Sequence, residues 1–570
     1  MADSRPTPAE FGALQELATF PLTEAIFGRR SRRFALGDEI PDGPLAYRSR
    51  HEPVPLTEFE RMLVLSAMGG TTGWHYSITR NAHYAPHVAN YAGGAAGRTF
   101  PSAAGFHTAE LFFTDDSGVY FFPTRDAGAL VDPATEQITP QLMVERHRQR
   151  LRRLSTERLF LPAEEPYLEG HNTWCVNVPG SLLVIPVADI AQHLLAVLCF
   201  LTQNGYAIYD DIHNRALPGL DQFRGLVDVE EPFPLTFSEQ YALTEATAEL
   251  ATSCYAGVLL LQAMGLGGWM FDGIDRFSIL GASDNPDVPG LGFRYDTDEH
   301  WATPNPTGRE GVFEAHCPPH YRTMADAVDA FAHRKFGPGG PFHPDTPGAW
   351  TDTPGFRGSA QVHDETFKAC VSLQAQYILD TFGKFPATVP TVFILNYVQA
   401  HHLDLDFYDR FFTPGAYLHT HATHMDTWHR REETPTTRSP AKRGRGASTT
   451  GPTPAPRFTG RTTPSAAGWE QHRLSRNAQQ KTQIRAVSFR LANQLIPVLD
   501  RLLRNIAERL GTVRHHLQHL SRLHRRQRLQ RIDHRIRTDL TTNVQPIVGL
   551  NALRHPLACC LRHTFHPSRS

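Results

Sequence analysis

The amino-acid sequence predicts an α+β fold in which a central sheet is flanked by helices, followed by a disordered or loosely helical basic tail. Three observations support this prediction: two long segments with helical spacing of apolar residues, a β-rich pair of runs between them, and an abrupt change of charge near residue 430. The 570 residues are 41% apolar and 20% charged, close to the globular average, so the chain can bury a substantial core.

The first long helical segment begins after Thr57. Thr57 and Glu60 have the spacing of a capping box, and apolar residues then recur with the helical period. Glycines at positions 69 and 70 are expected to end this helix.

Residues 107–124 predict two strands, because β-rich runs lie on both sides of a turn signal at residues 115–118. The first run, residues 109–113, is short and could equally begin as a helix. The longest helix is then predicted for about residues 237–265. It has a second capping-box spacing at Thr236 and Glu239, and Gly265 is a suitable C-terminal glycine. Its last turns are apolar on nearly all sides, which predicts burial in a core or at a subunit interface.

The charge balance changes sharply near the end of the chain. Residues 434–570 contain 25 Lys and Arg against 5 Asp and Glu, whereas residues 1–433 contain 31 and 53. Residues 431–484 have the composition of a linker, and residues 485–570 form a basic segment with helical periodicity. Three interpretations remain open for this tail: translation of a shifted or opposite-strand reading frame, a functional basic extension, or a solvated spacer. It lacks tyrosine and any nucleic-acid reader motif, so we do not expect nucleic acid as a partner.

Several other classes of protein are not favoured by the sequence. The seven cysteines form no CxxC pair, which argues against a zinc knuckle or a thioredoxin-like site. The N-terminal residues lack the basic and apolar regions of a signal peptide, and the most apolar stretch, residues 193–201, is too short to span a bilayer. We therefore expect a cytoplasmic protein that does not act at a membrane.

Three motifs suit a phosphorylated, planar ligand. Residues 28–34, Gly-Arg-Arg-Ser-Arg-Arg-Phe, offer guanidinium groups and a hydroxyl to phosphate oxygens. Residues 98–107 contain small side chains that permit close approach of the backbone to a ring. Residues 262–269 place three glycines within four positions at the end of the longest predicted helix.

Taken in this order, the three motifs resemble those of the nitroreductase-like FMN-dependent oxidoreductases over about residues 20–300. The segment around Glu110-Leu111 and Gly118-Val119-Tyr120 is most similar to the branch that contains the azoline and thiazoline peptide dehydrogenases. The resemblance implies a flavin domain over residues 1–300 with an insertion at about 125–235. Residues 301–430 would be a C-terminal extension of the same globular unit.

The resemblance also implies a cofactor, a reaction and roles for particular residues. Arg29 and Ser31 would contact the phosphate and ribityl chain of FMN, and Arg33 would lie near the N1/O2 edge of the flavin. The full set of implied cofactor-binding residues is Arg29, Arg30, Ser31, Arg33, Ser102, Gly105, Gly267 and Gly268. Ser102 and Gly105 would border the ring, and the last two glycines would offer backbone N–H donors near O4 and N5.

The reaction implied by the resemblance is hydride transfer through flavin N5, without a catalytic side chain, in a homodimer whose core is the long helix. NADH or NADPH would reduce the flavin, which would then reduce a small electrophile. Two alternatives remain open: oxidation of azolines in modified peptides, and a non-enzymatic flavin-binding protein of the same fold.

A metal site is a competing interpretation, which the favoured assignment does not include. Imidazole and carboxylate groups suit zinc or iron, and they are frequent near the end of the acidic part of the chain. The candidates are His401, His402, Asp404, Asp406, His419, His421, His424 and His429.

Because the linker is poor in apolar residues, it cannot offset its ordering entropy, and we expect residues 434–468 to be mobile. Limited proteolysis should cut between Arg438 and Arg461 and leave a stable fragment that ends near residue 432. A chain truncated at residue 432 should bind flavin as the full chain does. Unfolding or loss of flavin in the truncated chain would show that the tail is a structural part of the protein.

Overall fold

The computed structural model describes residues 8–78, 89–125, 128–132, 135–388, 392–393 and 397–429. All of them lie within Met1–Thr436, the first of two units into which the chain divides. The predicted linker and basic tail, residues 431–484 and 485–570, lie outside the described residues.

The described residues form twelve α-helices. In chain order they are α1 Pro8–Thr19, α2 Leu22–Phe27, α3 Glu58–Gly69, α4 Pro140–Arg148, α5 Ile190–Gln203, α6 Leu235–Met264, α7 Arg276–Leu280, α8 Met324–Phe336, α9 Thr353–Gly358, α10 Glu365–Phe382, α11 Leu405–Phe411 and α12 His419–Trp428.

The same residues form seventeen short strands. In chain order they are β1 Glu39–Ile40, β2 Tyr47–Arg48, β3 Thr71–Trp74, β4 Ala96–Arg98, β5 Ala109–Asp115, β6 Gly118–Phe122, β7 Arg152–Ser155, β8 Leu182–Asp189, β9 Tyr206–Asp210, β10 Arg215–Ala216, β11 Asp228–Pro234, β12 Gly267–Phe271, β13 Arg294–Asp296, β14 Asn305–Arg309, β15 Phe313–Glu314, β16 Val392–Phe393 and β17 Tyr397–His401.

The central sheet has the strand order β12-β17-β8-β5-β6-β7, with β16 also paired to β8, and its pairs are antiparallel. Both faces are covered by helices. On β8, Leu183, Ile185 and Val187 point into a core shared with α5 and α10, whereas Leu182 and Val184 point into a core shared with α3 and α6. Alternate side chains of a strand point to opposite faces, so one strand serves both cores. The predicted α+β fold, with a central sheet flanked by helices, is confirmed.

Two of the local predictions are confirmed in detail. The Thr57 hydroxyl accepts a hydrogen bond from the Glu60 N–H at 3.2 Å, and the Glu60 carboxylate accepts one from the Thr57 N–H at 2.7 Å, so the capping box of α3 is complete. Strands β5 and β6 form the expected hairpin, in which Asp115 pairs with Gly118.

The second predicted capping box, at Thr236 and Glu239, is wrong. Helix α6 begins at Leu235, after Pro234, and no side chain caps it. The Thr236 hydroxyl donates to the Asp211 carboxylate instead, and the Glu239 carboxylate accepts from two N–H groups of the segment after α10, those of Ala387 and Thr388. The predicted end is confirmed, because Gly265 adopts the left-handed conformation with φ 79°.

Burial of α6 differs between its ends and its faces. Leu261 and Met264 in the last turns are buried, as expected. Phe237 and Tyr255 are 45% and 41% exposed, so part of the helix surface is accessible to solvent in a single chain. The expected burial is therefore found on one face and at the C-terminal end.

The segments between and after the three motifs contribute to the centre of the fold. Residues 125–235, predicted as an insertion, include β8 and α5, which lie in the sheet and in its core. Residues 301–430 supply β17, which lies between β12 and β8. The domain boundaries proposed from the sequence stay a prediction. Within the described residues, no helix combines the length and the apolar character that crossing a bilayer requires.

Glu249 joins α6 to the loop before β5. One oxygen of its buried carboxylate accepts from the N–H groups of Thr108 and Ala109, at 3.0 and 2.8 Å, and the other accepts from the Ser102 hydroxyl at 2.5 Å. Glu249→Ala should lower the free energy of unfolding by about 3 kcal/mol or more, because it leaves buried donors without an acceptor. Glu249→Gln keeps the shape and one acceptor, so its loss should be smaller. Urea denaturation measures both, and equal stability of parent and alanine variant would contradict this role.

Candidate functional site

The basic segment and the glycine-rich turn lie side by side. The Arg32 N–H donates to the Gly268 carbonyl at 3.3 Å, and the Gly268 N–H donates to the Arg32 carbonyl at 2.8 Å. The segment follows α2, and Gly268 belongs to β12. Two of the three motifs found in the sequence therefore meet in the fold, although more than 200 residues separate them.

Arg32 fixes this arrangement. Its side chain is buried, and its guanidinium donates to the Ala416 carbonyl at 3.0 Å, the Gln262 side-chain oxygen at 2.5 Å and the Gly28 carbonyl at 3.1 Å. Burial lowers the pKa of Arg32 to about 10. Sequence reasoning passed over this residue, because a run of arginines does not indicate which of them turns inward.

Arg33 is half-buried between aromatic rings. Its guanidinium carbon lies 4.9 Å from the ring centroid of Trp269 and 5.6 Å from that of Trp174. One terminal nitrogen donates to the Asn172 side-chain oxygen at 2.7 Å and to the Cys175 sulfur at 3.0 Å. The Nε atom is buried and makes no hydrogen bond within the described part of the chain. Arg33 thus has a fixed position and an unused donor.

The remaining members of the basic segment face outward. Arg30 donates to the carbonyl groups of Phe27 and Arg29, at 3.2 and 2.7 Å. Ser31 is exposed and Arg29 half-buried, and among the described residues neither side chain has a hydrogen-bond partner. Arg29 and Ser31 are therefore available to a ligand, whereas Arg30 is partly engaged by its own segment.

The glycines of β12 serve packing. A Cβ atom on Gly267 would lie 2.7 Å from the His401 ring, and one on Gly268 would lie 2.2 Å from the Gln399 carbonyl oxygen. Within this chain the Gly268 N–H already donates to the Arg32 carbonyl, and its predicted role towards a flavin stays a prediction. Close approach of β12 to β17 accounts for both glycines.

Ser102 and Gly105 belong to a different part of the molecule. Ser102 contacts Glu249 on α6, whereas Arg32 contacts Gln262 on the same helix. Those two positions are about 20 Å apart at 1.5 Å per residue. Within one chain, Ser102 and Gly105 therefore lie far from the outward-facing side chains of the basic segment, Arg29 and Ser31.

A cavity of about 580 Å³ borders the Ser102–Gly105 loop, because Gly93, which lines the cavity, donates to the Gly105 carbonyl at 2.7 Å. Its wall includes Arg125 and His316, which contact the same oxygen of Asp189 at 2.8 and 2.9 Å. Sequence reasoning missed this cavity. Its other walls include a second segment rich in glycine and proline, residues 338–341, which was the available signal.

The histidine-rich segment contributes to a buried cluster. Of the eight metal-ligand candidates, His402, His424 and His429 come together, and they meet Glu60 of α3. The other five candidates lie outside this cluster: His401, Asp404, Asp406, His419 and His421. From the sequence, Glu60 is predicted only to cap α3.

Comparisons with known proteins give a distant likeness. No protein-family model matches the chain, and no curated protein matches it. A crystal structure from Ralstonia eutropha JMP134, described as a "putative nitroreductase", is 13% identical with a TM-score of 0.22; the match covers 47% of this chain and 78% of that chain. At this level of similarity, the function must be inferred from the residues of the site.

The loop that follows the basic segment contains a buried carboxyl group, Asp38, which accepts from the Ala35 N–H at 2.7 Å. Burial raises the pKa of Asp38 to about 7, and the charge of Asp404 adds to this effect. As the pH rises from about 4 to 7, the unfolded chain loses this proton while the folded chain keeps it. Stability should therefore fall over this range.

Asp38→Asn stays neutral and should remove this fall, because the amide oxygen can still accept from the Ala35 N–H. The stability of the variant relative to the parent should increase by about 2–3 kcal/mol between pH 5 and pH 8. Urea denaturation at a series of pH values measures the difference, with Glu39→Gln, at the exposed neighbouring position, as control. Parallel stability profiles for parent and Asp38→Asn would contradict the raised pKa.

Proposed function

We propose that the protein is an FMN-dependent oxidoreductase whose cofactor binds beside the Arg29–Arg33 segment, next to β12. The observation that carries this proposal is the pairing of Arg32 with Gly268, which joins two of the motifs that resemble those of the nitroreductase-like family. The unused donors of Arg29 and Ser31, together with the guanidinium charge of Arg33, give the same region the chemistry that a phosphate and a polar ring edge require.

Each of these side chains has a distinct task in the proposal. Arg29 neutralises the phosphate, and the Ser31 hydroxyl donates to phosphate or ribityl oxygens. Arg33 contributes the positive charge of its guanidinium, which Asn172 and Trp269 hold in place. A guanidinium fixed there stabilises negative charge on an adjacent ring, and this favours the reduced cofactor. When bound, FMN supplies two-electron chemistry through hydride transfer.

A complete site requires a second copy of the chain. Ser102 and Gly105 lie too far from the basic segment within one chain, so their proposed contact with the cofactor must come from a partner subunit. The exposed aromatic side chains of α6, Phe237 at 45% and Tyr255 at 41%, offer apolar surface for such an interface. We therefore propose a homodimer with α6 near its centre.

The proposed reaction has two halves, in which NADH or NADPH reduces the cofactor and a small electrophile accepts the electrons. Oxidation of azolines in modified peptides uses the same cofactor in the opposite direction. Anaerobic mixing of the flavin-loaded protein with NADH and with NADPH separates the two. Bleaching of the visible flavin absorption is expected. If neither nucleotide bleaches it, the reductase assignment is wrong and the dehydrogenase or non-enzymatic alternative is favoured.

Removal of the two outward-facing contacts tests the location of the cofactor. The double variant Arg29→Ala, Ser31→Ala should weaken FMN binding, by about 1–3 kcal/mol for each charge-assisted contact removed. Equilibrium dialysis or quenching of FMN fluorescence measures the dissociation constant. Arg48→Ala, which removes an exposed arginine outside the segment, is the charge-matched control. Unchanged FMN affinity in the double variant would exclude this placement.

A further inference from the structure

Four side chains that can bind a metal meet between α3 and the last part of the described chain, residues 402–429. Glu60 lies on α3, His402 follows β17, His424 lies on α12 and His429 follows that helix. One potential ligand atom from each residue lies within 4.8 Å of those from the other three. The residues are up to 369 positions apart in the sequence, so local chain geometry does not account for the cluster.

The cluster is largely withdrawn from water. The exposed fractions of Glu60, His402 and His424 are 0%, 2% and 3%, and His429 is half-buried. A carboxylate buried to this extent needs compensating positive charge, since its desolvation is costly. Histidine supplies that charge only when it is protonated or when it shares a cation with the carboxylate.

The contacts of His424 reduce these possibilities to the state of one nitrogen. Its Nδ1 atom lies 2.8 Å from the Met264 carbonyl oxygen, which can only accept, so Nδ1 carries a proton in either case. The Nε2 atom lies 3.0 Å from Glu60 Oε1, and its geometry does not make a hydrogen bond within the described residues. When the ring is neutral, Nε2 presents a lone pair to the carboxylate, and a cation bound between the two atoms stabilises both.

The surroundings orient the ligand atoms as they do in metal sites. The hydrogen bond from His424 to the Met264 carbonyl is the contact that metal-binding histidines commonly make through their second nitrogen. The other carboxylate oxygen of Glu60 accepts from the Thr57 N–H at 2.7 Å, which leaves Oε1 directed at His424 and His429. His402 contributes a buried Nδ1 without a hydrogen-bond partner among the described residues.

We propose that Glu60, His402, His424 and His429 bind one divalent transition-metal ion, with zinc as the best match. Three imidazoles and a carboxylate suit zinc, whose bonds of about 2.0–2.2 Å place tetrahedral ligands roughly 3.4 Å apart. The contacts of Glu60 Oε1, at 3.0 Å to His424 and 2.9 Å to His429, are already shorter than this spacing. His402 offers its unpartnered Nδ1, because its Nε2 lies 3.4 Å from the Pro55 carbonyl oxygen, which can only accept. Four protein ligands leave no open position, so the ion is structural and links α3 to α12.

Binding of the ion displaces the hydrogen on His429 Nε2. This atom lies within hydrogen-bond distance of Glu60 Oε1, at 2.9 Å, and in the metal-free protein it donates to that oxygen. When the ion takes its place, an imidazolium releases this proton to solvent, whereas a neutral ring carries it on Nδ1 instead. The half-buried position of His429 gives both the proton and the ion a route to water.

Titration of the chelator-treated full-length protein with Zn²⁺, in competition with a chromophoric chelator, tests the proposal. We expect one equivalent of zinc to bind tightly and to raise the melting temperature. His424→Gln should weaken zinc binding by at least about 100-fold and abolish the thermal shift. His421→Gln is the matched control, because His421 is a buried histidine of the same helix outside the cluster. It should bind zinc as the parent does.

A second variant and an absorption spectrum keep the proposal testable if His424→Gln does not fold. His429→Gln alters the half-buried ligand, so it should fold even if His424→Gln does not, and it should also lose tight binding. Co²⁺ bound to the parent should show the intense visible absorption of a four-coordinate site. Absence of a stoichiometric zinc site in the parent would show that the cluster is instead a buried ion pair between Glu60 and protonated histidine. Undiminished binding in His429→Gln would show that zinc binds at other residues and would overturn the proposed site.

Discussion

The buried guanidinium of Arg32 is the constraint on which the candidate sites depend. A cation at 2% exposure requires acceptors on several sides, and here they come from Gly28, Gln262 and Ala416. These acceptors belong to the end of α2, to α6 and to the segment before α12. One side chain therefore holds the basic segment against α6 and against the chain that leads into the helix carrying His424. The proposed cofactor segment and the proposed metal cluster share this anchor.

The features of the fold that could be predicted from sequence are those that neighbouring residues determine. The capping box at Thr57 and the hairpin from β5 to β6 involve contacts only a few positions apart. The same spacing at Thr236 and Glu239 failed because both side chains bind distant parts of the chain instead. The central positions of β8 and β17 left no local signal, since strand pairing across some 200 residues depends on the whole fold.

In the candidate site, too, some features could be predicted from neighbouring residues and others depend on distant contacts. Residue types identified the basic segment and the glycine-rich turn, and the fold brings them into contact. Which arginine is buried could not be read from a run of four, because that depends on carbonyl groups far along the chain. Glu60 already had one sufficient role as a helix cap. Its contacts with His424 and His429 arise only when α12 packs against α3, so the histidines alone did not identify the cluster.

The interior position of β17 determines when the sheet can be completed during synthesis on the ribosome. Val398 pairs with Val184 of β8 on one side, and His401 pairs with Gly267 of β12 on the other. Until that segment has emerged, β8 and β12 each present an unpaired edge, and such edges promote association between nascent chains. The sheet can therefore be completed only when translation of the acidic part of the chain is almost finished, and until then both edges remain open to pairing with other chains.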